Sequence, residues 1–350
     1  MTRPGVRWPA EWEPHAATWL AWPHNAETWP GHLAQAHREY VEIVRALQGR
    51  ELVRLLVRDD AMEGSARRTL RERGVDPDAG LQFLHVPTND AWVRDWGPIF
   101  VAHDAPRLFD FDAWGGKYPP WDLDAAAGAR ALGALGRPSV SPGFVLEGGS
   151  VDGNGAGCLL TTESCLLNPN REPGRTREGM EERLARWLGA ERVVWLEAGI
   201  SGDDTDGHVD DVARFATRTT VVAVRAEPDH ADHAVLAANL ARLRAARSAD
   251  GRPLDVVELP VPPQHRRAGL CCPASYANFY LANGVALVPT FDAPSDARAL
   301  AALREIWPDR EVTGIPCQTL VLGLGAVHCL SQQEPLLDTP AALASDPSTG

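Results

Sequence analysis

One pattern constrains this chain more than any other: a helix followed closely by a short apolar strand, met five times in order. His32 to Leu47 carries apolar residues at helical spacing, and Leu52 to Val57 follows as a strand. The pair recurs as Asp124 to Leu135 then Val140 to Leu146, and as Thr176 to Leu188 then Arg192 to Leu196. It returns as His230 to Ala246 then Leu254 to Leu259, and as Ser295 to Trp307 then Glu311 to Ile315. A further helix, Ser65 to Arg73, reads as an insertion in the first unit. Units that recur at about 50 to 90 residues are supersecondary modules, each needing a neighbour to cover its apolar face. Such modules predict an array closing on itself as one α/β domain.

Each unit ends in a loop rich in Gly, Pro and ionisable groups, the loop type that carries function on a rigid scaffold. The first unit supplies Asn89 to Pro98, with Trp92 and Asp95, and the second Glu147-Gly148-Gly149-Ser150. Asp203 to Asp211, with His208 and Asp210, follows the third, and Cys271 to Asn278 the fourth. After the fifth comes Gly323-Leu324-Gly325-Ala326-Val327-His328-Cys329-Leu330-Ser331-Gln332-Gln333-Glu334. Here a glycine-punctuated apolar run delivers one cysteine and then turns to amides and a carboxylate. Cys329 is the candidate nucleophile, although a cysteine in an apolar run is also a common core residue.

A ring of such loops would gather Asp95, Glu147, Asp210, His208 and Cys329. Carboxylates cluster away from water only around a cation, which is a metal or an organic group. The metal alternative, an Asp/His hydrolase or a non-catalytic metal-binding module, leans on Asp203 to Asp211. A calcium loop fails there, because Gly202 and Ala213 stand where its acidic positions belong. The close-spaced His or Cys pairs of a zinc site are absent from the same stretch. An organic cation needs carboxylates that fork onto a planar guanidinium. Asp95 and Asp210 could grip such a group while its electron-poor carbon faces Cys329 and its charge favours the thiolate. His208, two residues before Asp210 and so expected on the same strand face, could move protons, with Glu147 as a second acid or base.

The formal charge of −13 argues against a nucleic-acid partner and suits a small cationic one, although acidity also serves solubility. No apolar run approaches the roughly 20 residues of a membrane span, so no membrane partner is expected. Behind Arg3 and Arg7 there is no apolar segment of a secretory signal. The six cysteines are scattered, with Cys271 and Cys272 adjacent and read as thiols near the site. Together these predict a cytoplasmic chain, with its oligomeric state, monomer or homo-oligomer, left open.

Several blocks in fixed order resemble a known family: Pro9 to His15, Asn89 to Pro98, Phe111 to Tyr118, Leu146 to Gly153, Gly207 to Asp211, Ser275 to Gly284 and His328 to Glu334. They resemble the guanidine-modifying superfamily, and within it the agmatine deiminases, related to bacterial peptidyl-arginine deiminases. That resemblance implies a propeller of five ββαβ modules spanning residues 1–336, with 337–350 as a flexible tail. It also implies Cys329 as nucleophile, His208 and Glu147 as proton-transfer groups, and Asp95 and Asp210 as guanidinium ligands. Asn278 and Lys117 match family positions near the pocket, with Asn278 among the substrate-binding residues, and no cofactor or metal is required; Trp92 and Trp96 read either as core aromatics or, for Trp92 above all, as lining of the substrate channel. The implied reaction is hydrolytic deimination of agmatine through a thiouronium on Cys329, with arginine or peptidyl-arginine as the alternative substrate. Leu324 and Ala326 depart from the family pattern Gly-Gly-Gly-Asn-Ile-His-Cys before the nucleophile. His328, read on the strand face opposite Cys329, is expected to be structural.

Overall fold

The computed structural model describes residues 5–337, so the expected tail lies outside the described residues apart from its first position. The helix-strand pairs form with ends close to those expected: Leu33–Leu47 with Leu52–Val57, Arg177–Leu188 with Arg192–Leu196, His233–Ala245 with Asp255–Pro260, and Pro294–Ile306 with Glu311–Pro316. Local chemistry explains the boundaries. The helix Arg177–Leu188 begins where Thr176 accepts from the Gly179 amide at 3.1 Å and stops at Gly189, which takes the left-handed conformation (φ 73°). Its Met180, Leu184 and Leu188, four residues apart, form the buried stripe. The inserted helix starts earlier than expected, at Asp60, because Asp59 accepts from the Met62 amide at 2.9 Å.

Among the described residues four of the five sheets share one design, an antiparallel pair followed, across a helix, by a parallel third strand, and the fifth is the hairpin His265–Arg267 with Leu270–Cys272. Three of the four are Val151–Gly153, Cys158–Thr162 and Arg192–Leu196; Ala213–Phe215, Thr220–Arg225 and Asp255–Pro260; and Tyr280–Ala282, Val285–Thr290 and Glu311–Pro316. In the first sheet the antiparallel partner of His15–Ala21 is Ser331–Pro335, and Leu52–Val57 and Leu81–His85 continue it in parallel. A fifth region keeps the order with isolated bridges: Ile99 antiparallel to Arg107, then Arg107 and Asp110 parallel to Val140 and Val145 across the helix Asp122–Ala134. The expected strand Val140 to Leu146 is therefore not continuous. Pro142 lacks the N–H a ladder needs, and Gly143 sits at φ 76°.

At the middle of the molecule lies a buried charge network centred on Glu11. Its carboxylate takes the Leu281 amide at 2.8 Å, Arg94 Nη2 at 3.2 Å, Arg214 Nη2 at 3.0 Å and His328 Nε2 at 2.9 Å. Burial alone would raise its pKa, but Arg214, His328 and Arg94 outweigh that and hold it well below the ordinary carboxylate range. Removing one partner of such a network leaves uncompensated buried charge. Glu11→Gln should therefore lower the unfolding free energy by about 3–5 kcal/mol, read from urea midpoints at constant m-value. A loss under about 1 kcal/mol would show that the network contributes little.

Candidate active site

The loops that follow the strands converge on a cavity of about 780 Å³, whose wall includes Trp92, Asp95, His208, Asp211, Leu324 and Cys329. The turn containing Cys329 sits just before the strand Ser331–Pro335 and leaves the residue 8% exposed. Asn278 holds it: Nδ2 donates to Sγ at 3.1 Å and to Asp211 Oδ1 at 2.9 Å, while Oδ1 accepts from the His328 amide at 3.0 Å. Sγ lies 3.8 Å from Asp210 Oδ2. Burial and the nearby Asp210, Asp211 and Asp95 push its thiol well above the ordinary range, so this environment favours the thiol over the thiolate.

Gly149 explains how the charged side chains come so close. A Cβ there would stand 2.6 Å from His208 Nδ1, 2.9 Å from Asp95 Oδ1 and 3.0 Å from Asp210 Oδ2, so only glycine leaves room for all three. Asp95 accepts from the Gly149 amide at 2.9 Å and from Trp114 Nε1 at 3.0 Å. Glu147 accepts from Arg171 Nε at 2.7 Å, and its second oxygen has no hydrogen-bond partner. Asp210 Oδ1 and His208 Nε2 are likewise buried and unpartnered. Burial, with Arg171, pushes His208 well down, so its ring is neutral. Burial and neighbouring Asp95 push Asp210 well up, and burial with Asp210 and Asp203 does the same to Asp211.

Two local expectations are corrected. His208 and Asp210 do not share a strand face, because Val209–Asp211 is a single 3₁₀ turn, which still brings both to the cluster. His328 and Cys329 lie in a turn and not on opposite faces of a strand. His328 bridges two carboxylates, Asp210 at 2.6 Å through Nδ1 and Glu11 through Nε2, and so orients the carboxylate nearest the sulfur. Trp92 is both core and wall: it packs on Trp29 with ring centres 5.6 Å apart and lines the cavity. Leu324 adopts φ 72°, a conformation that suits the glycine of the family pattern, and its side chain enters the cavity wall. Ala326 is buried and lies off the wall. Cys272 is buried and Cys271 half-buried, on a hairpin packed against Gly202. Lys117 is tied to Asp206 at 2.8 Å and to the Asp204 carbonyl, across the cavity mouth.

Sequence reasoning did not single out Asp211, Arg171, Glu11 or Trp114. Asp211 adjoins Asp210, and the alternating acids of that run could have flagged it. Arg171 stands in a segment with no motif of its own.

The model of the Porphyromonas-type peptidyl-arginine deiminases matches residues 7–335. The chain belongs to that family. An agmatine deiminase of Pseudomonas syringae pv. tomato is 35% identical over 95% of this chain and 96% of its own length. The structure of an agmatine deiminase of Enterococcus faecalis, described as catalysing its reaction, superposes with a TM-score of 0.87 at 31% identity, covering 95% of this chain and 96% of that one. A Cys-to-Ser variant of the C. jejuni agmatine deiminase with substrate bound gives 0.85 at 27% identity, covering 94% and 96%. This member of the peptidyl-arginine deiminase family thus has relatives of its own length throughout.

The cluster makes a titration prediction. Burial and neighbouring Glu147 push Asp95 up to about 7. An unfolded aspartate titrates near 3.9, so from about pH 4 to 7 the folded chain keeps a proton the unfolded chain releases, and stability falls as pH rises. Asp95→Asn removes that dependence. Between pH 5 and 8 the wild type should lose of the order of 2 kcal/mol relative to the variant, measured by urea unfolding at each pH. A wild-type advantage that grows with pH would contradict the assignment.

Proposed function

We propose that this chain is a guanidino deiminase that hydrolyses agmatine to N-carbamoylputrescine and ammonia. One observation supports the reading above others: Cys329 Sγ lies 3.8 Å from Asp210, and buried carboxylate oxygens of Asp210 and Glu147 have no hydrogen-bond partner. A planar cation with N–H groups on every side suits that arrangement, because each N–H meets an acceptor and the positive charge relieves carboxylate repulsion. The relatives act on agmatine by name. Agmatine lacks the α-carboxylate that arginine carries beside its ammonium, and the cations on the cavity wall that could meet such a carboxylate are already engaged. Lys117 is held as described, Arg267 by the carbonyls of Thr28 and Leu322, and Arg58 by Asp59.

In this mechanism Asp95 and Asp210 fork onto the guanidinium while Glu147 takes a further N–H. The bound cation offsets the carboxylates that hold the Cys329 proton, so the thiol becomes acidic only with substrate in place. Sulfur attacks the guanidinium carbon, and the thiol proton passes through neutral His208 to the nitrogen that leaves as ammonia. Water, deprotonated by His208, then attacks the thiouronium carbon. The C–S bond breaks, His208 returns its proton to sulfur, and the remaining hydroxyl proton leaves to solvent, where ammonia takes it up, as the ureido carbonyl forms. Asn278 positions the nucleophile, and Trp92 and Leu324 shape the wall. We read the four sheets and the bridged 99–145 region as five ββαβ modules of one propeller domain, supported by their shared strand order.

Ammonia and ureido product, measured with agmatine, arginine and a peptide ending in arginine, test the substrate. Agmatine should give the highest kcat/KM, and Cys329→Ala should lower its turnover by roughly 10⁴-fold or more. Turnover that survives the substitution would end the thiol mechanism, and preference for a carboxylate-bearing guanidine would reassign the substrate. In the empty protein, alkylation of Cys329 followed by peptide mass spectrometry should keep accelerating with pH past the usual thiol range near 8.5. A plateau near pH 7 would show a thiolate already present without a cation.

A further inference from the structure

A second thiol lies in the same cluster. Cys165, in the turn Glu163–Leu166, has its sulfur within 4.8 Å of a Glu147 carboxylate oxygen and a His208 ring nitrogen, and those two atoms also lie within 4.8 Å of each other. All three residues are buried. Glu147 Oε2 and His208 Nε2 have no hydrogen-bond partner in the protein, and unsatisfied buried polar atoms are costly unless a ligand meets them. A guanidinium supplies only donors and leaves the sulfur unused. Thiolate, imidazole and carboxylate together form the donor set of a zinc ion, with bonds of about 2.0–2.3 Å, so side-chain movements of about an ångström would close the cluster onto one centre.

We propose that Glu147, Cys165 and His208 form an inhibitory site for a thiophilic divalent cation such as Zn²⁺. The site draws its ligands from residues spread along the chain, so no close-spaced zinc motif announces it. Arg171 stays on Glu147 Oε1 and is also held by Asp206, which leaves Oε2 for the metal. Binding forms three dative bonds, displaces water from the ion and releases the Cys165 proton to solvent, with no change of oxidation state. Water completes the coordination. The inhibitory consequence rests on the proposed function: Glu147 and His208 engaged by metal cannot serve the guanidinium or its proton transfers.

Cobalt binding tests the site apart from activity. Chelator-treated, reduced protein titrated with Co²⁺ should develop a thiolate-to-cobalt charge-transfer band that persists in Cys329→Ser and disappears in Cys165→Ser. With agmatine as substrate, Zn²⁺ should raise the apparent KM, and the half-inhibiting Zn²⁺ concentration should rise by about tenfold or more in Cys165→Ser, relative to that variant's own metal-free rate. A band lost in Cys329→Ser but kept in Cys165→Ser would place the ion on the nucleophile and overturn the proposal, as would no band in the wild type. Should Cys165→Ser not fold, the Cys329→Ser spectrum still decides, because that variant must keep the band. If agmatine is not turned over, the function reading fails while the cobalt spectra still judge the site.

Discussion

The structure depends on how the buried carboxylates at its centre are divided between two environments. Glu11 and Asp152 are matched by guanidinium groups, with Arg214 Nε 2.5 Å from Asp152 and its Nη2 on Glu11. Of that pair only Glu11 is held low, since burial still raises Asp152 against Arg214, while Asp95, Asp210 and Asp211 have less positive charge beside them and burial pushes all three upward. The compensated half is a structural fastening; in the proposed function the other half receives the guanidinium. His328 joins them, with one nitrogen on each side. The fastening therefore fixes the orientation of Asp210, and stability at Glu11 is tied to geometry at the sulfur.

That division explains what could be read from the chain beforehand. Four helix-strand pairs were legible because apolar periodicity reports which face is buried, and the loops after them were legible as functional because their ionisable residues had no structural reason to cluster. The second unit, Val140 to Leu146, was misread because its apolar residues suit a strand while Pro142 and Gly143 forbid a continuous ladder. Periodicity senses burial and is blind to a missing N–H.

The site residues were legible as a set and less so in their connections. Asp95, Glu147, His208, Asp210 and Cys329 sit in blocks of distinctive composition, and the structure brings Asp95, His208 and Asp210 around Gly149 with Cys329 Sγ 3.8 Å from Asp210. The role of His328 was hidden, because a histidine beside a nucleophile has many readings until its two partners, hundreds of residues upstream, are seen. Arg171 and Cys165 were hidden for the same reason: ionic and metal-type contacts follow three-dimensional proximity, which short-range spacing does not encode.

The pairing of Ser331–Pro335 with His15–Ala21 also bears on how the molecule assembles. These strands lie at opposite ends of the described chain, so their contact closes the longest loop in the fold and carries a large chain-entropy cost. Cys329 stands two residues before the closing strand, and its backbone carbonyl accepts from the Arg94 amide at 3.2 Å. The residue proposed as nucleophile is thus seated next to the contact that completes the first sheet. A partly folded chain would hold most of its helices yet present a thiol with no defined surroundings. The surroundings of Cys329 are therefore a property of the closed first sheet, which secondary structure content alone does not report.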